Sequence, residues 1–179
     1  MGVLNITPDS FSDGGQFNSV PAAVDQAAAL VEAGADVLDI GGESTRPGAA
    51  PVQVEEELDR VVPVIEALSA RLDVTLSVDT RKPAVMRAAV AAGAHWINDV
   101  EALQAPEALK TAVELAVPVC LMHMRGQPGT MQQAPVYRDV VAEVTDFLRG
   151  RAQACLEAGL PREHLMLDPG FGFGKTLSH

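Results

Sequence analysis

Six short apolar segments recur along the chain, and each has a polar residue close to its C-terminal end. They are GVLNIT (2–7), DVLDIGG (36–42), VTLSVDT (74–80), HWINDV (95–100), VPVCLMHM (117–124) and HLMLDPG (164–170). Each segment is too short to cross a membrane as a helix and is rich in β-branched and aliphatic residues, which is typical of strands buried on both faces. The pattern therefore predicts six β-strands.

Segments with helical periodicity lie between these strands. Residues 54–72 carry one apolar stripe, and the acidic run at 55–57 falls in the first turn, where carboxylates suit the positive end of the helix dipole. Pro63 is expected to kink this helix or to mark a restart. Further helices are predicted over 21–33, 83–92 and 139–158, each followed by a glycine at which a helix can end.

Alternation of strand and helix with short connections requires a parallel sheet, either an open doubly wound sheet or part of a barrel. The strand-end polar residues are Asn5, Asp39, Asp79, Asn98 with Asp99, His123 and Asp168. An open sheet needs such residues only beside its switch point, whereas a barrel gathers them from all strands at its C-terminal mouth. The sequence therefore predicts an α/β fold, a TIM (β/α)8-type barrel of which about six β/α units are present.

Composition narrows the range of partners. The chain has 179 residues, 47% of them hydrophobic, and a formal net charge of -11, which disfavours nucleic acid and anionic membranes as partners. Cys120 and Cys155 lie in a strand-like and a helix-like segment and are expected to be buried, reduced thiols. With no basic leader and no apolar stretch of membrane-spanning length, a cytoplasmic location is expected.

The terminal segment DPGFGFGK (168–175) contains three alternating glycines. It is not a phosphate-binding P-loop, because Pro169 stands where the first glycine of that motif belongs, and the glycine spacing does not fit a dinucleotide motif. The bare backbone instead indicates close approach by a flat ligand. The four histidines and two cysteines show no metal-ligand or catalytic-dyad spacing, so His123 is interpreted as a structural residue.

Six motifs in order carry a resemblance to a known family. MGVLNITPDSFSDGG (1–15), IGGESTRPGA (40–49), SVDT (77–80), WINDV (96–100), CLMHM (120–124) and DPGFGFGK (168–175) together resemble bacterial dihydropteroate synthases, the sulfonamide targets of folate biosynthesis. The resemblance implies a single pterin-binding domain over 1–179 that stops before the last two β/α units of the family. The later Ser-Arg-Lys segment and the last-strand Arg and His of that family lie outside these 179 residues.

The resemblance implies a transferase that condenses 7,8-dihydropterin-6-ylmethyl diphosphate with 4-aminobenzoate to give 7,8-dihydropteroate and diphosphate, with Mg²⁺ as cofactor. The family is homodimeric at full length. The implied pterin-binding residues are Asp79, Asn98, Met122, Asp168, Gly172, Phe173 and Lys175. Those implied for aminobenzoate and diphosphate are Phe11, Thr45, Arg46 and Pro47. Asp13 and Asp79 would stabilise the cationic pterin methylene, and Asn5 would be the metal ligand.

Three other functions stay open. The chain could be an inactive fragment or a non-catalytic pterin-binding partner, because it lacks the family's C-terminal Lys and Arg segments. A methyltransferase-type pterin-binding barrel shares the strand-end Asp and Asn residues, but the segments SFSDGG and ESTRPG favour a second aromatic substrate. A structural or regulatory oligomer subunit would leave the strand-end polar residues unexplained.

Overall fold

In a computed structural model, the chain is described over residues 1–7, 19–44, 51–126 and 130–179. Strands and α-helices alternate along it: β1 (Gly2–Asn5), α1 (Ser19–Glu32), β2 (Val37–Gly41), α2 (Val54–Ser69), β3 (Thr75–Asp79), α3 (Pro83–Ala92), β4 (Trp96–Asp99), α4 (Ala108–Leu115), β5 (Val119–Met122), α5 (Val140–Ala158) and β6 (Leu165–Asp168). All six predicted strands and the four predicted helices are confirmed. Helix α4 is an additional element that the periodicity did not identify.

The strands form one parallel sheet in the order β1-β2-β3-β4-β5-β6. Each strand pairs with the strand before it in sequence, as in the wall of a (β/α)8 barrel, whereas a doubly wound sheet reverses its order at a switch point. Within the described residues, β1 and β6 are the two edges of the sheet. The prediction of an incomplete TIM-type barrel is therefore confirmed.

The helices cover one face of the sheet, and the core lies between the two layers. Outward-facing strand residues such as Leu4, Ile40, Val78 and Leu121 are fully shielded from solvent. They pack in one continuous apolar cluster with residues of the helices, including Val61, Ile65 and Leu68 of α2. Each such aliphatic side chain contributes about 1.5–3 kcal/mol when it is removed from water. This layer fixes the sheet and leaves its other face to the functional residues.

Helix α2 runs as a single helix across Pro63, so the expected restart at that residue is wrong. Pro63 cannot donate a hydrogen bond to the carbonyl of Asp59, but both residues are exposed, so water can hydrate the freed carbonyl. Helices α3 and α5 end as predicted at Gly93 and Gly159, with φ of 116° and 104°. Helix α4 instead ends at Ala116, which has a φ of 55°.

Both cysteines are free thiols, as predicted. Cys155 is buried as expected, whereas Cys120 is only half-buried. Across the described ranges of the chain, no helix combines the length and the apolarity that a membrane span needs.

Candidate active site

The predicted pterin-binding residues of different strands come together at the C-terminal end of the sheet. Strand register places Asn5, Gly41, Asp79 and Asn98 at successive positions of one row that crosses β1 to β4. Met122 and Asp168 are paired in the same way on β5 and β6. Because residues in register point to the same face, Asp79 and Asn98 are neighbours on the face that the helices leave uncovered. The row therefore places the carboxyl group of Asp79 and the side-chain amides of Asn5 and Asn98 together at the C-terminal mouth of the sheet.

The remaining predicted residues are divided between described and undescribed parts of the chain. Phe11, Asp13, Thr45, Arg46 and Pro47 lie outside the described residues. Their assignments to aminobenzoate, to diphosphate and to stabilisation of the pterin methylene therefore stay predictions.

The Asp79 carboxyl has no hydrogen-bond donor among the residues that the structure describes. Removal of water by burial raises its pKa well above the ordinary aspartate value, and the nearby carboxylates of Asp39 and Asp99 raise the pKa further. The backbone beside it is bare, because a Cβ at Gly41 would lie 3.4 Å from Oδ2 of Asp79 and 3.7 Å from Oδ1 of Asn5. Asp79 is thus a partly buried carboxyl whose acceptor oxygens are available to N–H groups of a ligand.

Asn98 is oriented by Asp39, a buried aspartate that the sequence pattern identified only as one of the strand-end polar residues. Asp39, which is 4% exposed, accepts hydrogen bonds from Ser77 Oγ at 2.6 Å and from Asn98 Nδ2 at 2.9 Å. The second bond fixes the side-chain amide of Asn98 and leaves its Oδ1 as a free acceptor. Burial raises the pKa of Asp39, while the two hydrogen bonds act against that shift.

A network of ion pairs that the sequence pattern did not predict supports the end of β3 from the helix side. Glu57 of α2 is fully buried and accepts hydrogen bonds from Thr80 Oγ1 at 2.5 Å and from Lys82 Nζ. Lys82 also donates to Glu43 Oε2 at 2.7 Å, and the other oxygen of Glu43 accepts from the Val52 N–H at 3.1 Å. These bonds join α2, the residues after β2 and the β3–α3 connection, which positions the backbone immediately after Asp79.

The glycines after β6 have two different roles. A Cβ at Gly170 would lie 2.2 Å from the carbonyl oxygen of His123, and one at Gly174 would lie 2.7 Å from that of Arg125. At these two positions, the absence of a side chain makes room for the protein's own backbone at the end of β5. Gly172 has a φ of +85° and no atom within 4 Å of the Cβ position, so its bare face is open. The predicted close approach by a ligand stays a prediction for Gly172 and its neighbour Phe173.

Lys175 is buried, with 8% of its surface exposed. Its ammonium group lies 2.9 Å from the carbonyl oxygen of Gly170, 3.1 Å from that of Phe173 and 3.2 Å from that of His123. It also lies 3.0 Å from Nδ1 of His123. Burial lowers the pKa of Lys175, and Asp168 acts in the opposite direction. The ammonium is therefore bound to protein acceptors, and its predicted contact with a pterin stays a prediction.

The predicted metal ligand, Asn5, lies at the end of β1. In the described ranges, no group of three or more His, Cys, Asp or Glu side chains is arranged to hold a metal ion. The side chain of Asn5 is exposed at the end of β1 and offers one neutral amide oxygen. Mg²⁺ keeps most of its waters and takes oxygen ligands from substrate phosphates, so a single amide oxygen fits that ion.

Cys120 lies in the same row as Asn98 and next to Met166. Burial raises its pKa to about 12, and the charge of Asp168 contributes to the increase. The thiol is therefore protonated at neutral pH, which lowers its reactivity as a nucleophile.

A barrel wall with carboxylates, amides and a bare glycine turn at its C-terminal mouth is the arrangement with which (β/α)8 enzymes bind small molecules. The chain belongs to the family described as pterin binding enzyme, which it matches over residues 1–179. Dihydropteroate synthase of Escherichia coli (strain K12) is 58% identical over all of this chain, which corresponds to 64% of that protein.

Solved structures give the same result. The Yersinia pestis dihydropteroate synthase with a sulfonamide drug complex superposes with a TM-score of 0.93 at 55% identity, over 100% of this chain and 65% of that one. The Xanthomonas albilineans dihydropteroate synthase with 4-aminobenzoic acid gives a TM-score of 0.92 at 60% identity, over 99% and 63%. The resemblance inferred from the motifs is confirmed. The chain spans less than two thirds of the length of the relatives it matches, 64% for the Escherichia coli protein.

Proposed function

We propose that these residues belong to a dihydropteroate synthase, a transferase that joins 7,8-dihydropterin-6-ylmethyl diphosphate to 4-aminobenzoate and releases diphosphate. The observation that carries the proposal is the row of Asn5, Asp79 and Asn98 at the C-terminal mouth of a pterin-binding-family barrel. The 58% identity to a dihydropteroate synthase supports the same activity.

The pterin would be held by its polar edge. That edge alternates N–H donors with ring acceptors, and Asp79, Asn98 and Asp168 offer carboxylate oxygens and an amide that match it. Asn98 is already oriented by its 2.9 Å bond to Asp39, so little side-chain entropy would be lost on binding. Met122, only 4% exposed, would place its sulfur against a face of the ring, and Gly172 and Phe173 would border the slot.

In the condensation, the amine nitrogen of 4-aminobenzoate forms a bond to the pterin methylene carbon while the bond from that carbon to the diphosphate oxygen breaks. Positive charge that develops on the methylene would be stabilised by Asp79 together with Asp13. The attacking amine loses a proton, and diphosphate leaves. Exclusion of water is essential, because water would otherwise capture the cationic methylene.

The leaving group would be stabilised beside β1. The Asn5 amide oxygen would hold Mg²⁺, whose charge neutralises the departing diphosphate. Phe11, Thr45, Arg46 and Pro47 are proposed to form the aminobenzoate and diphosphate side, as the resemblance implies. Homodimer formation and a cytoplasmic location stay predictions.

The test is diphosphate release by the natural full-length protein with both substrates and Mg²⁺. We expect release that requires 4-aminobenzoate and that falls about 10- to 100-fold in Asp79→Asn, because a charge-assisted hydrogen bond to the pterin is lost. Asp73→Asn is the matched control, since Asp73 is exposed and precedes β3 at the opposite end of the strand. A protein that binds the dihydropterin but releases no diphosphate would contradict the proposal and support a binding-only function.

A further inference from the structure

The Lys175 ammonium group has a hydrogen-bond acceptor within the protein for each of its N–H groups. An ammonium has three N–H donors, and the four acceptors within 3.2 Å occupy all of them. Three of these acceptors are backbone carbonyl oxygens outside the helical and strand hydrogen bonds. Lys175 therefore donates to the carbonyls of His123 and Phe173 and shares the Gly170 carbonyl with the Phe173 N–H, which lies 3.0 Å from it. The ammonium has no donor left for a ligand.

The acceptors lie on two chain segments, at the end of β5 and in the turn after β6, beyond the point where the sheet joins them. The last backbone bond between β5 and β6 runs from the His123 N–H to the Asp168 carbonyl at 2.9 Å. Beyond it, the ammonium bonds His123 on one side and Gly170 and Phe173 on the other. It thereby extends the attachment of β5 to the turn after β6 past the end of the ladder.

The ring of His123 completes this arrangement. Because Nδ1 faces an ammonium at 3.0 Å, Nδ1 is the acceptor and the proton of the neutral ring is on Nε2. The ring packs edge-on against Phe147, with centroids 5.0 Å apart. Burial, followed by the positive charge of Lys175, lowers the pKa of His123, with a smaller decrease from Arg125. A backbone hydrogen bond and the charge of Glu143 act in the opposite direction. His123 is thus held neutral, as its role as an acceptor requires.

A second contact holds the same turn. The Tyr137 hydroxyl donates to the Gly174 carbonyl at 2.8 Å, and the guanidinium of Arg125 lies 4.5 Å from the centre of the Tyr137 ring. Arg125 is itself paired with Glu143 of α5 at 2.8 Å. The turn is therefore fixed on both sides of Gly172, the glycine whose face is open.

We propose that Lys175 is a positioning residue, which binds the turn 170–174 to the end of β5 and so sets the place of Gly172 and Phe173. The inference rests on the proposed function, since these two residues would border the pterin slot. Lys175 acts through the backbone, and its ammonium does not touch the substrate. Loss of the ammonium therefore weakens pterin binding and leaves recognition of 4-aminobenzoate unchanged.

The experiment compares Lys175→Met with wild type in the natural full-length protein. Lys110→Met is the matched control, since Lys110 is an exposed lysine with only an exposed pair to Glu107. We expect the KM for the dihydropterin diphosphate to rise about 10- to 100-fold, the effect of a displacement of about 1 Å, with the KM for 4-aminobenzoate unchanged. In ¹⁵N NMR spectra, the proton of His123 is expected on Nε2 in wild type, and the pKa of His123 is expected to rise in the variant.

Two further variants, Tyr137→Phe and Lys175→Ala, test the same inference if Lys175→Met does not fold. Tyr137→Phe removes one donor to the turn and is expected to raise the same KM by a smaller factor. Lys175→Ala is expected to regain pterin affinity when methylammonium or ethylammonium is added, because the small cation can occupy the carbonyl cluster. A fall in kcat with an unchanged KM for the pterin would overturn the inference, and so would an unchanged His123 signal. Absence of turnover in wild type would reject the proposed function, while the NMR result would still test the position of Lys175.

Discussion

Gly41 and Gly42 are adjacent at the end of β2, and a methyl group added at each position meets different surroundings. At Gly42 the new Cβ would lie 2.8 Å from Cγ1 of Val61 and 3.0 Å from Cγ of Glu57, both on α2. Carbon atoms prefer separations of about 3.5–4.0 Å, so α2 has to move away from β2 by about 0.7 Å or more. At Gly41 the nearest atom would be Oδ2 of Asp79 at 3.4 Å, an ordinary contact.

Overpacking of this size in a close-packed core destabilises proteins by about 1–3 kcal/mol. We expect Gly42→Ala to lose that amount of unfolding free energy in a urea titration, with the midpoint lowered and the slope unchanged. Gly41→Ala is expected to keep its midpoint and to weaken pterin and diphosphate binding, because the methyl group lies between Asp79 and Asn5. The reasoning is refuted if Gly42→Ala unfolds within about 0.5 kcal/mol of wild type, or if Gly41→Ala is destabilised as much.

Two further predictions concern buried charges. Burial raises the pKa of Asp99 to about 6, so the folded state keeps a proton that the unfolded state releases near pH 4. The contribution of Asp99 to stability is therefore fully present below about pH 4 and is lost as the pH rises through 6. From about pH 3 to about pH 7, the difference in unfolding free energy between wild type and Asp99→Asn is expected to change by about 3 kcal/mol, and a constant difference would contradict the assignment. Lys82→Met leaves the carboxylate of buried Glu57 without its cation and is expected to destabilise by about 3–5 kcal/mol. The double variant Lys82→Met with Glu57→Gln should regain part of that loss in chemical denaturation, and simple additivity of the two single changes would speak against a coupled pair.

The architecture was predictable because the local pattern and the tertiary arrangement agree. Strands buried on one face by helices give short apolar runs, and the polar residue at each C-terminal end marks one mouth of a barrel. Helix α4 was missed because its last turn is followed by Ala116 in a left-handed conformation, a position that usually carries glycine. The restart at Pro63 was wrong because the lost hydrogen bond lies on the solvent side of α2.

The supporting residues of the site were harder to predict for a different reason. Glu57 meets Thr80, and Asp39 meets Asn98, across separations of 23 and 59 residues. A single sequence does not show which carboxylate on one unit faces which donor on another. The glycine motif after β6 was recognised as a place of close approach, but the sequence does not show that the end of β5 is what approaches Gly170. Such pairings depend on the register of neighbouring strands.

The in-order pairing of the strands also sets the sequence of events during synthesis. Each strand can join the sheet when it emerges, because its partner has already been made. Asn5 and Gly41 come into register first, then Asp79 and Asn98, and the turn held by Lys175 is the last of these parts to leave the ribosome. A nascent chain therefore brings Asn5, Asp79 and Asn98 into one row before the turn after β6 is made. Until β6 pairs, the edge of β5 is open to other chains, as the edge of each earlier strand is before the next strand joins the sheet.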